Sequence, residues 1–409
     1  MKSLNAWFIV IAALLSGVVE GHNRSQSFSL WTLDSQQLQM LYTVPSREIT
    51  RLKQSNVSSL EVILINSLKS KIKVIQDANE CPLLASYNFQ ILPSKPGYLR
   101  VTARFECPLI LDRSPPELLI GSFFDVSSSH VHYAQIVNPG RAPMDYLFTE
   151  DRQRQAVELG GNSSSGSLAQ ALATHVQLGV LHILAGIDHL IFVLALLLLL
   201  PSRRALIWMI SGFTLGHSVT LSLAVLGWVV PDIIAIEALI GFSIALVSAE
   251  NIMLRNGSNR GIGIAAVALL GAMMLLSMSE LYKPAISLVS LVGLLIFTLS
   301  YLSLVDRSYV TMQLRPFLCI AFGLIHGFGF ASGFVDVGLP TDRLWSALLG
   351  FNLGVELGQL MVIGIVWVVY LGLANYRLAT AYAAELCSAL FCGIGLYWFV
   401  VRSYGSMLS

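Results

Sequence analysis

The chain has 409 residues, 55% of them hydrophobic and 12% charged, with a formal net charge of +1. That balance argues against a nucleic-acid partner, which calls for a concentrated basic surface, and places the chain among polytopic membrane proteins. The average conceals two unlike parts: a polar one up to about Gly166, and an apolar one from Ser167 onward in which charge is confined to short loops and a few positions inside apolar spans.

Residues 1–21 read as a signal peptide, with Lys2, the apolar run Ala6–Leu15, then Ser16 and Gly17. Residues 22–159 are expected to form an exported, periplasmic β-rich domain. Alternating patterns over Ser27–Thr32, Leu38–Val44, Leu60–Ile65, Ile72–Ile75, Ser86–Leu92, Tyr98–Phe105, Leu118–Phe124 and Val131–Ile136 predict eight short strands and a β-sandwich. His130 and His132 share one face of a strand and are expected as a solvated surface pair, a metal pair being the alternative. Cys81 and Cys107, each in a Glu-Cys-Pro setting, are candidates for a disulfide in an oxidising compartment. Cys319, Cys387 and Cys392 follow no metal-ligand spacing and read as small core residues. Residues 160–167, GGNSSSGS, read as a flexible linker.

The remainder, 168–409, reads as an all-α polytopic membrane domain of about eight transmembrane helices. The predicted spans are Leu178–Leu200, Ala205–Val230, Ile233–Met253, Ile262–Ser279, Ala285–Leu304, Pro316–Phe334, Trp345–Leu373 and Thr380–Val400. With the N-terminal domain outside, Arg203, Arg204, Arg255, Arg260, Arg307, Arg315 and Arg377 fall on the cytoplasmic side. Only Lys283, Arg343 and Arg402 fall opposite. The expected location is a bacterial inner membrane, with the N-terminal domain and the C-terminus periplasmic.

An ionisable side chain inside a bilayer costs at least ~2.5–3.5 kcal/mol, so its presence points to a site facing the protein interior. The first span carries His182, Asp188 and His189, and the second His217 and Ser218. Glu237 is on the third, His326 on the sixth, and Asn352, Glu356 and Gln359 on the seventh. At about 1.5 Å of rise per residue, these groups fall between the outer end and the midplane of five helices, which predicts one shared cavity opening outward. His175, His182 and His189 recur every seven residues and are expected on one helix face, His175 solvated at the outer interface. Glu250, nearer the cytoplasmic end, is read as structural or as an exit-side group. Imidazoles with carboxylates and no thiolate suit nickel, cobalt or zinc. The candidate metal ligands are His182, Asp188, His189, His217, His326 and Glu356. Ser218, Glu237, Asn352 and Gln359 are expected to support them or to line the pathway.

His182-x5-Asp188-His189 resembles a signature of the HupE/UreJ family of hydrogenase- and urease-associated membrane proteins. So do Phe213-Thr214-x-x-His217-Ser218-x-Thr220-Leu221, Glu237-Ala238-Leu239-Ile240, Gly323-Leu324-Ile325-His326-Gly327 and Phe351-Asn352-x-Gly354-Val355-Glu356-x-Gly358-Gln359. The resemblance runs from about Leu178 to Leu360 and is closest to the branch with an exported N-terminal domain. It implies a nickel or cobalt permease with the His-Asp-His motif as metal ligands. The smaller permeases of that family carry a second paired-histidine motif, where this chain has His326 alone.

Two functions fit these residues. In a permease, the metal ion enters from the periplasm, binds the cluster and leaves by alternating access, with membrane lipid around it and a candidate periplasmic partner on the N-terminal domain. In an intramembrane hydrolase, the same residues hold a catalytic zinc while Glu356 or Glu237 activates water. Polar groups strung along an outer-to-middle path favour transport.

Overall fold

Strand β1 (Gln26–Asp34) turns back into β2 (Gln37–Pro45) as an antiparallel pair in the register Phe28↔Thr43. In β2 every second residue (Leu38, Met40, Tyr42, Val44) is buried, the period-2 pattern of a sheet with one face on a core. β2 pairs with β6 (Tyr98–Glu106), whose other side holds β5 (Gln90–Leu92). β1 runs parallel to β8 (Val131–Val137), in the register Phe28↔Tyr133, and β8 pairs with β9 (Met144–Phe148). The resulting six-stranded sheet has the order β5-β6-β2-β1-β8-β9. A second sheet holds β10 (Arg154–Ala156), β7 (Glu117–Ile120), β3 (Ile72–Gln76) and β4 (Asn79–Glu80), in that order. Trp31, Met40 and Phe105 of the first sheet share one core with Val74, Leu118 and Ile120 of the second. A disulfide joins Cys81, just after β4, to Cys107, just after β6, and so ties the two sheets together.

This computed structural model describes residues 25–34, 37–52, 59–84, 88–94, 97–107, 115–127, 130–138, 144–157, 164–198, 203–256, 260–278, 285–305, 308–335, 344–373 and 377–404. The expected signal peptide, 160–163 of the expected linker, and Lys283, Arg307 and Arg343 lie outside these residues.

Three expectations for the N-terminal part are corrected. The run beginning at Leu60 is helical: α1 (Ser46–Ile49) is followed by α2 (Leu60–Lys71), which buries Ile63, Leu64 and Leu68. A six-residue window sees only an apolar run there, whereas the stripe 60/64/68 emerges over the full twelve residues. The strand expected over Leu118–Phe124 stops at Ile120, and Phe123 and Phe124 are buried in the turn that follows. Finally, His130 and His132 are not solvated but fully buried. Parallel β1 sets Ser25, Ser27 and Ser29 beside them. Ser25 and Ser27 hydrogen-bond the two ring nitrogens of His130 (2.6 and 2.8 Å), and Ser27 and Ser29 those of His132 (both 2.7 Å). Trp31 donates to Ser29 and Tyr42 to Ser27, closing a chain of hydrogen bonds that satisfies every ring nitrogen in the core.

The helical part runs through α3 (Ser164–Ala185), α4 (Ile187–Leu197), α5 (Arg203–Val225), α6 (Ile233–Asn256) and α7 (Arg260–Ser277). It continues with α8 (Leu288–Val305), α9 (Ser308–Val335), α10 (Leu344–Leu373) and α11 (Arg377–Tyr404). Residues 164–167 of the expected linker begin α3. The first expected span is interrupted at Gly186, whose backbone is extended (φ −79°, ψ 94°). The seven-residue face therefore runs through His175 and His182 on α3 but does not continue to His189 on α4.

Four stretches are long and apolar enough to cross a membrane: Arg204–Val225, Ile233–Arg255, Trp345–Val369 and Tyr382–Tyr404. Leu172–Ala185 with Ile187–Leu197 makes a fifth if the broken pair counts as one span. Gly261–Ser277, Leu288–Leu304 and Leu314–Gly329 are apolar but shorter. Among the described residues the candidate spans thus number four, or five with the broken pair, against the eight expected. Exposed Ile207, Leu215, Val289 and Val368 give the helices the apolar outer surface of a multi-pass membrane protein.

By contacts the chain divides into two compact units. One comprises His22–Ala185 with Gly333–Gly354, and the other Gly186–Ser332 with Val355–Ser409.

Candidate metal centre

The second unit holds a buried cluster of Asp188, His189, His217 and His326. Asp188 sits in the first turn of α4, where a carboxylate suits the positive end of the helix dipole. Its Oδ1 accepts the His189 backbone N–H (2.9 Å) and faces His189 Nδ1 at 3.0 Å. Because a carboxylate only accepts, His189 donates its Nδ1–H there and keeps its lone pair on Nε2.

His217 and His326 are brought together by a close approach of α5 and α9. A Cβ on Gly216 would lie 2.2 Å from the Ile320 carbonyl oxygen, and one on Gly323 would lie 2.1 Å from that of Phe213. One on Gly327 would lie 2.3 Å from the carbonyl oxygen of His217 itself. Only glycine lets the two backbones touch there, as in the small-residue contacts of membrane helices. The His189 ring then lies 5.1 Å from the His326 ring and 6.2 Å from the His217 ring, centroid to centroid. His189 and His217 each offer a ligand atom within 4.8 Å of the other.

His326 Nδ1 donates to the Phe322 carbonyl oxygen at 2.8 Å, which leaves Nε2 as the acceptor nitrogen. That Nε2 is buried and has no hydrogen-bond partner among the described residues. Phe192 and Phe213 lie 5.1 and 5.0 Å from the His326 ring and wall the cluster with apolar surface.

Other expected residues of this unit have partners of their own. Glu356 is half-buried and accepts from the Ser211 hydroxyl at 3.5 Å. Ser211 lies six residues along α5 from His217, about 9 Å. Gln359 accepts from Thr214 at 3.2 Å, and Ser218 donates to the Thr214 carbonyl at 2.7 Å as a backbone-bonded filler. Glu237 is half-buried, and its backbone carbonyl accepts from Arg402 at 3.0 Å.

Arg315 is buried on α9 and donates its Nε–H to Glu250 at 2.8 Å, while its Nη2 reaches Asn251 at 3.4 Å. It stands eleven residues from His326 on the same helix, about 16 Å, so the ion pair belongs to a separate place.

In the first unit, His182 is buried on α3 with its ring 5.3 Å from that of Phe351, and Asn352 donates to the Leu348 carbonyl at 2.8 Å. His175, expected in solvent, is buried to 1% exposure.

A family model described as HupE / UreJ protein matches residues 160–280 and 262–402. The chain belongs to the HupE/UreJ family. The matched HupE/UreJ region takes in every residue of the buried histidine cluster and leaves the β-rich N-terminal part outside. No curated protein matches the chain. For a HupE/UreJ protein the cluster offers neutral imidazole nitrogens, one orienting carboxylate and no thiolate, a donor set for a borderline divalent ion. Sequence reasoning missed the aromatic wall, because Phe192 and Phe213 read as ordinary apolar span residues.

Proposed function

We propose that this protein is a divalent transition-metal permease with nickel or cobalt as cargo, in a bacterial inner membrane with its β-rich domain on the periplasmic side. His189, His217 and His326 hold the ion, and Asp188 orients His189. The observation that carries this reading is the hydrogen bonding of two rings. Asp188 takes the Nδ1–H of His189 and the Phe322 carbonyl takes that of His326, so both rings turn a neutral Nε2 to a ligand.

The chemistry follows from the surroundings. Phe192 and Phe213 exclude water, so the imidazoles replace the ion's hydration shell. Glu356, held by Ser211 about two turns along α5, takes the ion next on its way toward the cytoplasm. Family membership supports the nature of the cargo, since resemblance to the HupE/UreJ family implies a nickel or cobalt permease.

The test is Ni2+ or Co2+ binding to the purified full chain by isothermal titration calorimetry. His189→Ala, and the pair His217→Ala with His326→Ala, should each abolish the tightest binding phase. Unchanged tight binding in the paired variant would overturn the assignment.

A further inference from the structure

Two of the three imidazoles in the proposed site are locked together. His217 and His326 stand on α5 and α9, whose backbones touch through Gly216, Gly323 and Gly327. His189 rides instead on α4, an eleven-residue helix set off from α3 by the extended backbone of Gly186. Its place relative to the other two rings depends on what holds the far end of α4.

The last carbonyls of a helix have no partner within it. At the end of α4, two side chains of α6 supply partners. Asn251 donates from Nδ2 to the Ala195 carbonyl at 2.7 Å, and Arg255 from Nη2 to the Leu198 carbonyl at 3.0 Å. An arginine there also suits the negative end of the helix dipole. The Asn251 amide is turned by Arg315 of α9, whose Nη2 donates to Oδ1 at 3.4 Å and whose Nε–H goes to Glu250 at 2.8 Å. Glu250, Asn251 and Arg315 are each no more than 3% exposed. A polar chain therefore runs from α9, which carries His326, through α6 to α4, which carries His189.

Helix α6 is a firm anchor for this chain. A Cβ on Gly241 would lie 2.7 Å from the Phe399 backbone nitrogen, and one on Gly395 would lie 2.6 Å from that of Ala245, so α6 and α11 are in backbone contact. Helix α4 has more freedom. A small apolar cavity borders it, lined among others by Phe192, Val193, Leu196 and Leu197 of α4 and by Ile210 and Phe213 of α5. Such voids are few in a packed interior, and this one gives α4 room to shift. A buried ion pair adds little stability over an apolar pair of the same shape, and this one stands on the link between two ligand-bearing helices.

We propose that Asn251, aligned by Arg315 and assisted by Arg255, is a positioning residue that clamps α4 so that His189 meets His217 and His326. The ion leaves when the clamp opens and α4 carries His189 away. The inference rests on the permease reading, and it gives the Glu250–Arg315 pair, set apart from the histidines, a part in ion release.

The experiment joins hydrogen exchange read by mass spectrometry with Ni2+ titration, both on the purified full chain. Asn251→Asp keeps an acceptor for Arg315 and removes the N–H that Ala195 takes. Amides of Ile187–Leu197 should exchange faster in this variant, and Ni2+ should slow them in wild type. Ni2+ affinity should fall roughly three- to tenfold, as loss of one ordinary hydrogen bond allows, and the fall should appear as faster release into excess chelator. Faster exchange that extends through α6 and α9 would mark general loosening of the fold. Arg255→Met, which frees only the Leu198 carbonyl, then decides by the same readouts. Unchanged Ni2+ affinity, with or without faster exchange, would overturn the clamp and leave the permease reading intact. Weaker binding with no change in α4 exchange would overturn it too, because the loss would then arise outside α4. A wild type that binds no Ni2+ would overturn the permease reading and the clamp with it, a failure visible before any variant is compared.

Discussion

In the proposed site, Asp188 acts through His189 rather than as a ligand. Its oxygen fixes which ring nitrogen carries the proton, and partners of this kind typically change metal affinity 10–100-fold. Asp188→Asn should therefore weaken Ni2+ binding by about that factor, measurable by competition against a chelator of known affinity. Ser218→Ala should leave it unchanged, because that hydroxyl reaches only the Thr214 carbonyl. In the β-rich domain, burial holds the His132 imidazole down to about 3 from an ordinary value of 6.5. The unfolded chain therefore binds more protons between those values. The resulting stability is fully present above about pH 6.5 and is lost as pH falls toward 3, an effect on the order of a few kcal/mol. Thermal melts of the protein across pH 4–7 should show the β-rich part losing stability on acidification, and His132→Gln should flatten that slope. The residues that carry ionisable chemistry were legible at this scale because a histidine in an apolar span is costly wherever it falls. Their partners were not. Burial of His130, His132 and His175 depends on serines, a tyrosine and an aspartate at distant positions, and local sequence assigns such histidines to solvent.

Glycines at the crossing of α5 and α9 set the separation of His217 from His326. A methyl on Gly216 or Gly323 would drive against backbone oxygen at 2.2 or 2.1 Å, which only a shift of a whole helix relieves. Gly216→Ala should weaken Ni2+ binding at least tenfold, about 1.4 kcal/mol, by titration of the purified variant. Gly271→Ala on α7 should bind as wild type, since nothing lies within 4 Å of a Cβ there. The positions of the long helices were readable from apolar length alone. The break at Gly186 was not: one glycine in an apolar run is compatible with a continuous helix, and here its extended backbone ends α3 and lets Asp188 open the first turn of α4. The helix at Leu60–Lys71 was hidden for a related reason, since its stripe shows only over a longer window than the strand-like run that opens it.

At the scale of the whole molecule, the separation into a polar N-terminal part and an apolar remainder is the boldest feature of the sequence, and family membership covers only the second. The β-rich part had to be read from alternation, which found seven strand positions but neither their pairing nor the small strands β4, β9 and β10. Long-range pairing such as parallel β1 with β8 leaves no local trace. The orientation proposed from the basic loops is tested by labelling. Cysteine placed at exposed Asp232, between α5 and α6, should react with an impermeant thiol reagent in intact cells, and at exposed Arg204 should resist it. The opposite labelling pattern would contradict a periplasmic N-terminal domain. Transport itself is tested most directly by Ni2+ and Co2+ uptake into sealed proteoliposomes holding the full chain. The account predicts saturable uptake that falls to the level of protein-free vesicles in His189→Ala and in His217→Ala. Tight ion binding by the same preparation with no movement across the membrane would contradict a permease.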